Sequence, residues 1–426
     1  RDEWRQKMMT AKEVLGQLAR RDARIEGMRE RLQRYRELAE GQRARLYSLP
    51  GGGQRRTSSV EEYVSKIVDL TRELDAQIDD YVDLTRAIEA ARGLGKSISY
   101  RLGYTGRRDD TRQDASLFAD LDMKAPDVYL GVESSNPTSL AAGIMIAFEQ
   151  ELTENPAHVV LVVDDLTATM SCAIVAKKQG IKVAHLVAGT RSFDMKMPKE
   201  VNRMITDGVS DYLFTAGMVA NRNRNQTGTE SENVYYVGNI LVDTVRFNRN
   251  RLLKPVWFSV LGLQEGNYLL LTLNRRVLLN NKENLRKLMQ TMIEKAAGMP
   301  IVAPMHTYVR NAIKDLGIEA PNLHIMPPQN YLFFGYLINK AKGIITDSGN
   351  VAEEATFLGI PGITLNTDAE HPETWRVGTN ELVGEDPAAL AQAMDTLMKG
   401  EWKKGELPER WDGRTAERIV QILTSK

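Results

Sequence analysis

Thr346-Asp347-Ser348-Gly349-Asn350-Val351-Ala352-Glu353-Glu354-Ala355 is the stretch on which the reading of this chain turns. The β-branched run Gly343-Ile344-Ile345 before it reads as the end of a buried strand. After it, Val351, Ala355, Leu358 and Gly359 keep helical spacing until Pro361. A strand, a tight Ser-Gly-Asn turn and the first turn of a helix aim backbone N–H groups and the positive end of a helix dipole at one point. That geometry suits a phosphate or diphosphate. Glu354, one turn into the helix, is placed to accept hydrogen bonds from ribose hydroxyls. The same residues also fit an ordinary β-α turn, with a glycine for positive φ and Asp347-Ser348 as helix caps.

Working outward, the neighbouring segments read as α/β. Val159 to Val163 is the clearest buried parallel strand and ends in Asp164-Asp165; a helix is expected from about Thr167 to Lys178. Ile98 to Leu102, Val183 to Leu186, Tyr212 to Phe214 and Val234 to Val237 supply the other strands of a first sheet. Beyond Lys254-Pro255 a second set follows: Tyr268 to Thr272, Ile301 to Pro304, His324-Ile325, Gly343 to Thr346 and Gly362 to Leu365. Two Rossmann-like doubly wound domains facing a cleft make the arrangement called GT-B, and ligands of open parallel sheets bind at the carboxyl ends of the strands.

Residues 1–92 have a different character. Ala11, Val14, Leu18, Ile25, Met28, Leu32, Tyr35 and Ala39 follow three-four spacing, and Val60, Val64, Ile67, Leu74, Ile78, Tyr81 and Ile88 repeat it after the breaker Leu49-Pro50-Gly51-Gly52-Gly53. The first run is net basic and the second net acidic, which favours antiparallel pairing into an α-helical hairpin or short coiled coil. This part resembles a small phage-encoded helical family without its usual helix-turn-helix. Its expected role is self-association or docking of a partner; a helical appendage packed on its own chain fits equally.

Composition narrows the class. The 426 residues carry no net charge, so no global field recruits nucleic acid or a membrane surface. One cysteine, Cys172, excludes an internal disulfide framework and fits a reducing cytoplasm. No apolar run approaches a membrane-spanning length, and five scattered histidines leave no metal-ligand cluster. Neither a cofactor nor a metal is expected.

Asp347 to Ala355 is followed in order by Gly359-Ile360-Pro361, Glu370-His371-Pro372-Glu373, Gly378-Thr379-Asn380 and Leu382-Val383-Gly384. This text resembles the non-hydrolysing UDP-N-acetylglucosamine 2-epimerases over about residues 97–426. The resemblance implies UDP or UDP-N-acetylglucosamine as ligand, a homo-oligomer and the GT-B layout. The domains would be a first Rossmann-like one over 93–247, a UDP-binding one over 248–407, and a last helix within 408–426 that returns to the first. The family's opening strand and helix have no counterpart here; the helical segment stands in their place.

The resemblance also assigns chemistry. Epimerisation at C2 in this family proceeds by eliminating UDP and adding it back to the other face of the sugar, which needs a base, an acid and a grip on the departing diphosphate. Arg275, His306, Phe334, Ser348, Gly349 and Glu354 match positions that bind UDP. His306 also fits a buried structural imidazole. Of the acid–base set Asp165 remains, whereas Val187 stands where the family has a glutamate, Lys199 at another acidic position, and Asn274 in place of a histidine. Glu200, one residue along from Lys199, is the candidate substitute, although one helical residue rotates a side chain by about 100°. The expectation is a UDP-N-acetylglucosamine 2-epimerase homologue with degenerate catalysis; the alternative is a non-catalytic UDP-sugar-binding or assembly module.

Overall fold

The computed structural model describes residues 98–107, 124–134, 136–193, 195, 197–218, 220, 233–366 and 372–425. The helical hairpin expected over 1–92, and the phage-family resemblance attached to it, lie outside these residues.

The described chain opens with β1 (Gly103–Tyr104), β2 (Val128–Tyr129) and α1 (Pro137–Glu154), then alternates β3 (Val159–Val163), α2 (Thr167–Lys178), β4 (Lys182–Leu186), α3 (Pro198–Val209) and β5 (Tyr212–Thr215). After β6 (Val234–Tyr236) come α4 (Ile240–Asn248) and α5 (Val256–Val260). The second half runs β7 (Leu269–Thr272), α6 (Arg276–Asn280), α7 (Lys282–Lys295), β8 (Ile301–Pro304), α8 (Thr307–Asp315), β9 (Leu323–Met326) and α9 (Tyr331–Lys340). It closes with β10 (Gly343–Thr346), α10 (Gly349–Leu358), β11 (Gly362–Thr364), α11 (Pro372–Arg376), β12 (Asn380–Leu382), α12 (Pro387–Lys399) and α13 (Thr415–Ser425).

All strand pairs are parallel. The first half carries a four-stranded sheet in the order β3-β4-β5-β6 and, among the described residues, a separate two-stranded sheet β1-β2; the second half has six strands in the order β12-β11-β10-β7-β8-β9. Side-chain alternation places one apolar set on each face. Leu269, Leu271, Ile301, Ala303 and Ile345 join one core with α7 and α12, while Tyr268, Leu270, Val302 and Ile344 join another with α9 and α10. Each fully buried leucine contributes about 1.5–3 kcal/mol, so helices on both faces are required to cover the sheet.

Several expected elements have the expected bounds, α2, β8 and β10 among them. Two differ in kind. Ile98 to Leu102 is not a strand: Leu102 O accepts the N–H groups of Asp127 and Val128, Leu102 N donates to Asp127 Oδ2 at 2.9 Å, and register starts only at Gly103↔Val128. Asn380–Leu382 is a strand that polar residues concealed. Its Asn380 Nδ2 donates to Ala352 O and Thr356 Oγ1, both at 2.8 Å, which ties the Gly-Thr-Asn motif to α10. A methyl group on Gly362 would lie 2.0 Å from Asn380 Oδ1, so glycine is needed there for contact rather than conformation.

The C-terminal helix α13 packs on the first sheet, its Ala416, Ile419 and Val420 joining Val163, Leu186 and Phe214. Asp243 of α4 caps it, accepting Thr415 N at 3.1 Å and Ala416 N at 2.9 Å. Trp411 Nε1 donates to Ala216 O at 3.2 Å, adding a second tie between this tail and the end of β5.

Candidate functional site

Elements that follow the strands of the two sheets touch. Helix α4 follows β6, α10 follows β10, and the two helices pack on each other. Gly217, just past β5, lies against α11, since a methyl group there would sit 2.3 Å from Glu373 Oε1. The sequence-predicted residues after β3, β4, β7, β8 and β10 lie at the carboxyl ends of their own sheets, where open parallel sheets bind ligands.

On the β10 side, Ser348 is the N-cap of α10 with extended backbone (φ −104°, ψ 126°), and its side chain makes no capping bond. Its N–H donates to Thr346 Oγ1 at 3.0 Å. Asp347 does not cap the helix either. Its Oδ2 accepts Asn274 N at 2.5 Å and Arg275 N at 2.6 Å, so its charge fastens the turn after β7 to the turn after β10. The first turn of α10 contains no acidic residue, which leaves its positive end available to an anion. Gly349 has no positive φ and starts the helix; the left-handed residue is Gly359 at the other end, with φ 71°.

Basic groups gather beside this helix end. Arg275 precedes α6 and is half-buried. His306 precedes α8 and stacks on Tyr308 with ring centroids 6.1 Å apart and planes 14° from parallel; Arg276 lies over the other aromatic partner of this group, 5.9 Å from the Tyr308 centroid. Tyr308 Oη donates to Asn274 O at 3.1 Å, so Asn274 holds the wall of the site through its backbone. Phe334 is half-buried and packs against the core around Phe258 and Tyr336. Glu354 is 8% exposed, and burial first, then neighbouring Glu353, pushes its carboxyl up to about 8.

The opposite side is a buried ionic network. Asp165 Oδ2 accepts Arg203 Nε at 2.9 Å and Nη2 at 2.7 Å, while Lys199 Nζ stands 3.5 Å from Oδ1. Glu200, in the first turn of α3, takes Ser192 N at 2.9 Å, Ser192 Oγ at 3.0 Å and Arg203 Nη1 at 3.5 Å on one carboxylate oxygen. Deeper still, Asp207 contacts His185 Nδ1 at 2.6 Å, Gly189 N at 3.2 Å and Arg191 Nη2 at 2.5 Å. Asp165 and Glu200 are thus brought together through Arg203. Arg191, Arg203 and Asp207 were missed as site residues. The four-residue spacing of Arg203 and Asp207, which puts both on one helical face, was the available signal.

Backbone strain collects here. Of the five non-glycine residues with positive φ among the described residues, Asp164 (60°), Val187 (64°) and Phe193 (60°) all follow β3 or β4. Val187 is β-branched, the side-chain class least suited to that conformation. Phe193 is 72% exposed on the loop that Ser192 pins to Glu200. Such outliers cluster at functional sites.

A family profile described as UDP-N-acetylglucosamine 2-epimerase matches residues 94–424. Among curated proteins, the UDP-N-acetylglucosamine 2-epimerase of Methanocaldococcus jannaschii is 33% identical over 348 residues, covering 78% of this chain and 93% of that one. The UDP-2,3-diacetamido-2,3-dideoxy-D-glucuronate 2-epimerase of Pseudomonas aeruginosa is 30% identical, covering 77% and 92%. The crystal structure of the M. jannaschii enzyme in complex with UDP-GlcNAc and UDP superposes with a TM-score of 0.70 at 31% identity, over 82% of this chain and 97% of that one.

Among the described residues no group of three or more His, Cys, Asp or Glu is placed to hold a metal, and no helix is long and apolar enough to cross a membrane.

Proposed function

The chain belongs to the UDP-N-acetylglucosamine 2-epimerase family, and from that premise we propose that it binds a UDP-linked acetamido sugar while its 2-epimerase chemistry is degenerate. In this reading Ser348, Gly349 and the open end of α10 take the diphosphate, assisted by Arg275 and His306. Glu354 takes the ribose, and Phe334 borders the base. The relatives act on different acetamido sugars, so the shared class is a UDP-linked 2-acetamido hexose. The division into a first domain over 93–247, a nucleotide domain over 248–407 and a returning tail over 408–426 belongs to the same proposal.

The observation that carries the degenerate reading is the state of the carboxylates after β3 and in α3. Removing the C2 proton needs a base within hydrogen-bond reach that is free to turn onto the sugar rather than held in an ionic network, and returning it to the other face needs an acid. Val187 has no ionisable group. Asp165 is held between two cations, Arg203 on Oδ2 and Lys199 3.5 Å from Oδ1, and Glu200 is tied through Oε2 to Ser192 and Arg203 with Arg191 3.8 Å from Oε1. Glu200 acts in this arrangement as a brace for the loop carrying Phe193. Loss of a general acid or base lowers rate about 10²–10⁴-fold per group.

The test is conversion of UDP-GlcNAc to UDP-ManNAc followed by NMR, with Val187→Glu/Lys199→Glu/Asn274→His run beside the natural chain. The expected result is a gain of at least about 10²-fold in the triple variant. Robust conversion by the natural chain would refute the degenerate reading.

A further inference from the structure

Glu354 is a buried acid with no charge partner among the described residues. Its residue is 92% removed from solvent, and among the described residues its carboxyl has neither a hydrogen bond nor an ion pair. Its oxygens are not among the fully enclosed atoms that lack a partner, so the small exposed remainder of the residue leaves the carboxyl within reach of a ligand. Helical side chains lean toward the N-terminus, so Glu354 lies along the face of Asn350 and points back toward the end of α10 that faces the cleft.

The charged groups on elements packed against α10 do not supply the missing partner. Asp243 and Arg246 of α4 are engaged by the segment at 412–416. On α9, Tyr336 and Lys340 both bind Glu265, and Tyr331 lies at its start. On α11, Arg376 lies over the Trp375 ring and Glu373 borders Gly217. Glu381 of β12 pairs with Lys403, and Asp347 before α10 binds the 274–275 turn. Glu353, next in the chain and itself buried, is the one charge that bears on Glu354, and it opposes ionisation.

We propose that nucleotide uptake is coupled to proton release from Glu354: the empty site holds a neutral carboxyl, and the two vicinal hydroxyls of a ribose convert it to a bound carboxylate. The proton passes to bulk solvent, and the two O–H groups each donate to a carboxylate oxygen. The step exchanges a buried neutral acid for a carboxylate with two charge-assisted hydrogen bonds. This rests on the nucleotide-binding reading above and adds a pH dependence to it. The burial that raises the Glu354 carboxyl to about 8 puts the effect in the neutral range.

Calorimetric titration of the full chain with UDP-N-acetylglucosamine, in buffers of different ionisation enthalpy, reads the proton directly. At pH 7 the expected result is release of close to one proton per ligand, with affinity rising about tenfold per pH unit up to about pH 8. A 2′,3′-dideoxyribose analogue should bind with no proton release, and Glu354→Gln should abolish both the release and the slope for the parent ligand. Binding of the natural chain that is flat with pH and releases no proton overturns the coupling and leaves the nucleotide reading standing. Absence of binding at millimolar ligand in every buffer overturns both.

Discussion

Asp347→Ala should be among the most damaging single substitutions in the second half of the molecule. Asp347 is 4% exposed, and one of its oxygens accepts two backbone N–H groups, from Asn274 at 2.5 Å and Arg275 at 2.6 Å. A hydrogen bond to a charged group contributes about 1.5–3 kcal/mol, and both donors would be left buried. The expected loss is therefore about 3–5 kcal/mol of unfolding free energy. Asp347→Asn keeps a neutral acceptor of nearly the same shape and should lose about half as much, because neutral hydrogen bonds are roughly half as strong. Urea unfolding followed by tryptophan fluorescence measures both variants. The same turn carries Arg275, so UDP affinity should fall at least about tenfold in Asp347→Asn under conditions where that variant is fully folded. If Asp347→Ala unfolds within about 1 kcal/mol of the natural chain, the reasoning that this carboxylate fastens two binding turns together is wrong.

Other consequences follow from buried groups. Burial raises the Asp243 carboxyl to about 6, against the lowering effect of the Ala416 and Thr415 N–H groups. Because the folded state holds that proton more tightly than the unfolded one, its contribution is fully present below about pH 4 and declines as pH rises to about 6. Urea midpoints across pH 4–7 should show that decline in the natural chain, with the corresponding portion missing in Asp243→Asn; identical profiles would refute it. Cys172 is buried and its thiol is pushed up to about 12, so a thiol reagent at pH 8 should label it only after denaturant is added. Complete labelling of the native chain within minutes would contradict its burial on α2 in the cluster with Ile144 and Leu152 of α1.

Much of the parallel-sheet framework was legible because β-branched runs have a signature that survives without context. Ile301–Pro304 and Gly343–Thr346 are apolar on both faces, as strands covered on both sides must be. Asn380–Leu382 was not, because its defining interaction is an amide side chain reaching α10, and periodicity does not record that. At the site, the strand-turn-helix start of α10 could be read from Thr346 to Ala355, but that Ser348 leaves the helix uncapped could not, since Asp347-Ser348 also fit a cap. The true task of Asp347 could not, since its partners lie more than 70 residues earlier. Asp165 and Glu200 could be named as carboxylates near the ends of β3 and β4. The engagement of Asp165 by Arg203, 38 residues along, is a tertiary fact, whereas Glu200 meets the same arginine three residues away on one helix; together they change what those carboxylates can do. Val187 illustrates the reverse case: a residue that looked merely substituted proves to stand at φ 64°, a conformation its side chain disfavours.

Solvent exchange at the sugar's C2 tests the central claim most directly. UDP-GlcNAc incubated with the protein in D₂O, observed by NMR, reports removal of that hydrogen whenever the abstracted proton exchanges with solvent before C2 is re-protonated, in whichever epimer is then formed. The account predicts saturable binding of the nucleotide sugar with deuterium entering C2 far below the usual enzymatic range of about 1–10³ s⁻¹. Deuterium appearing within that range would show that a working base remains in the cleft and would contradict it.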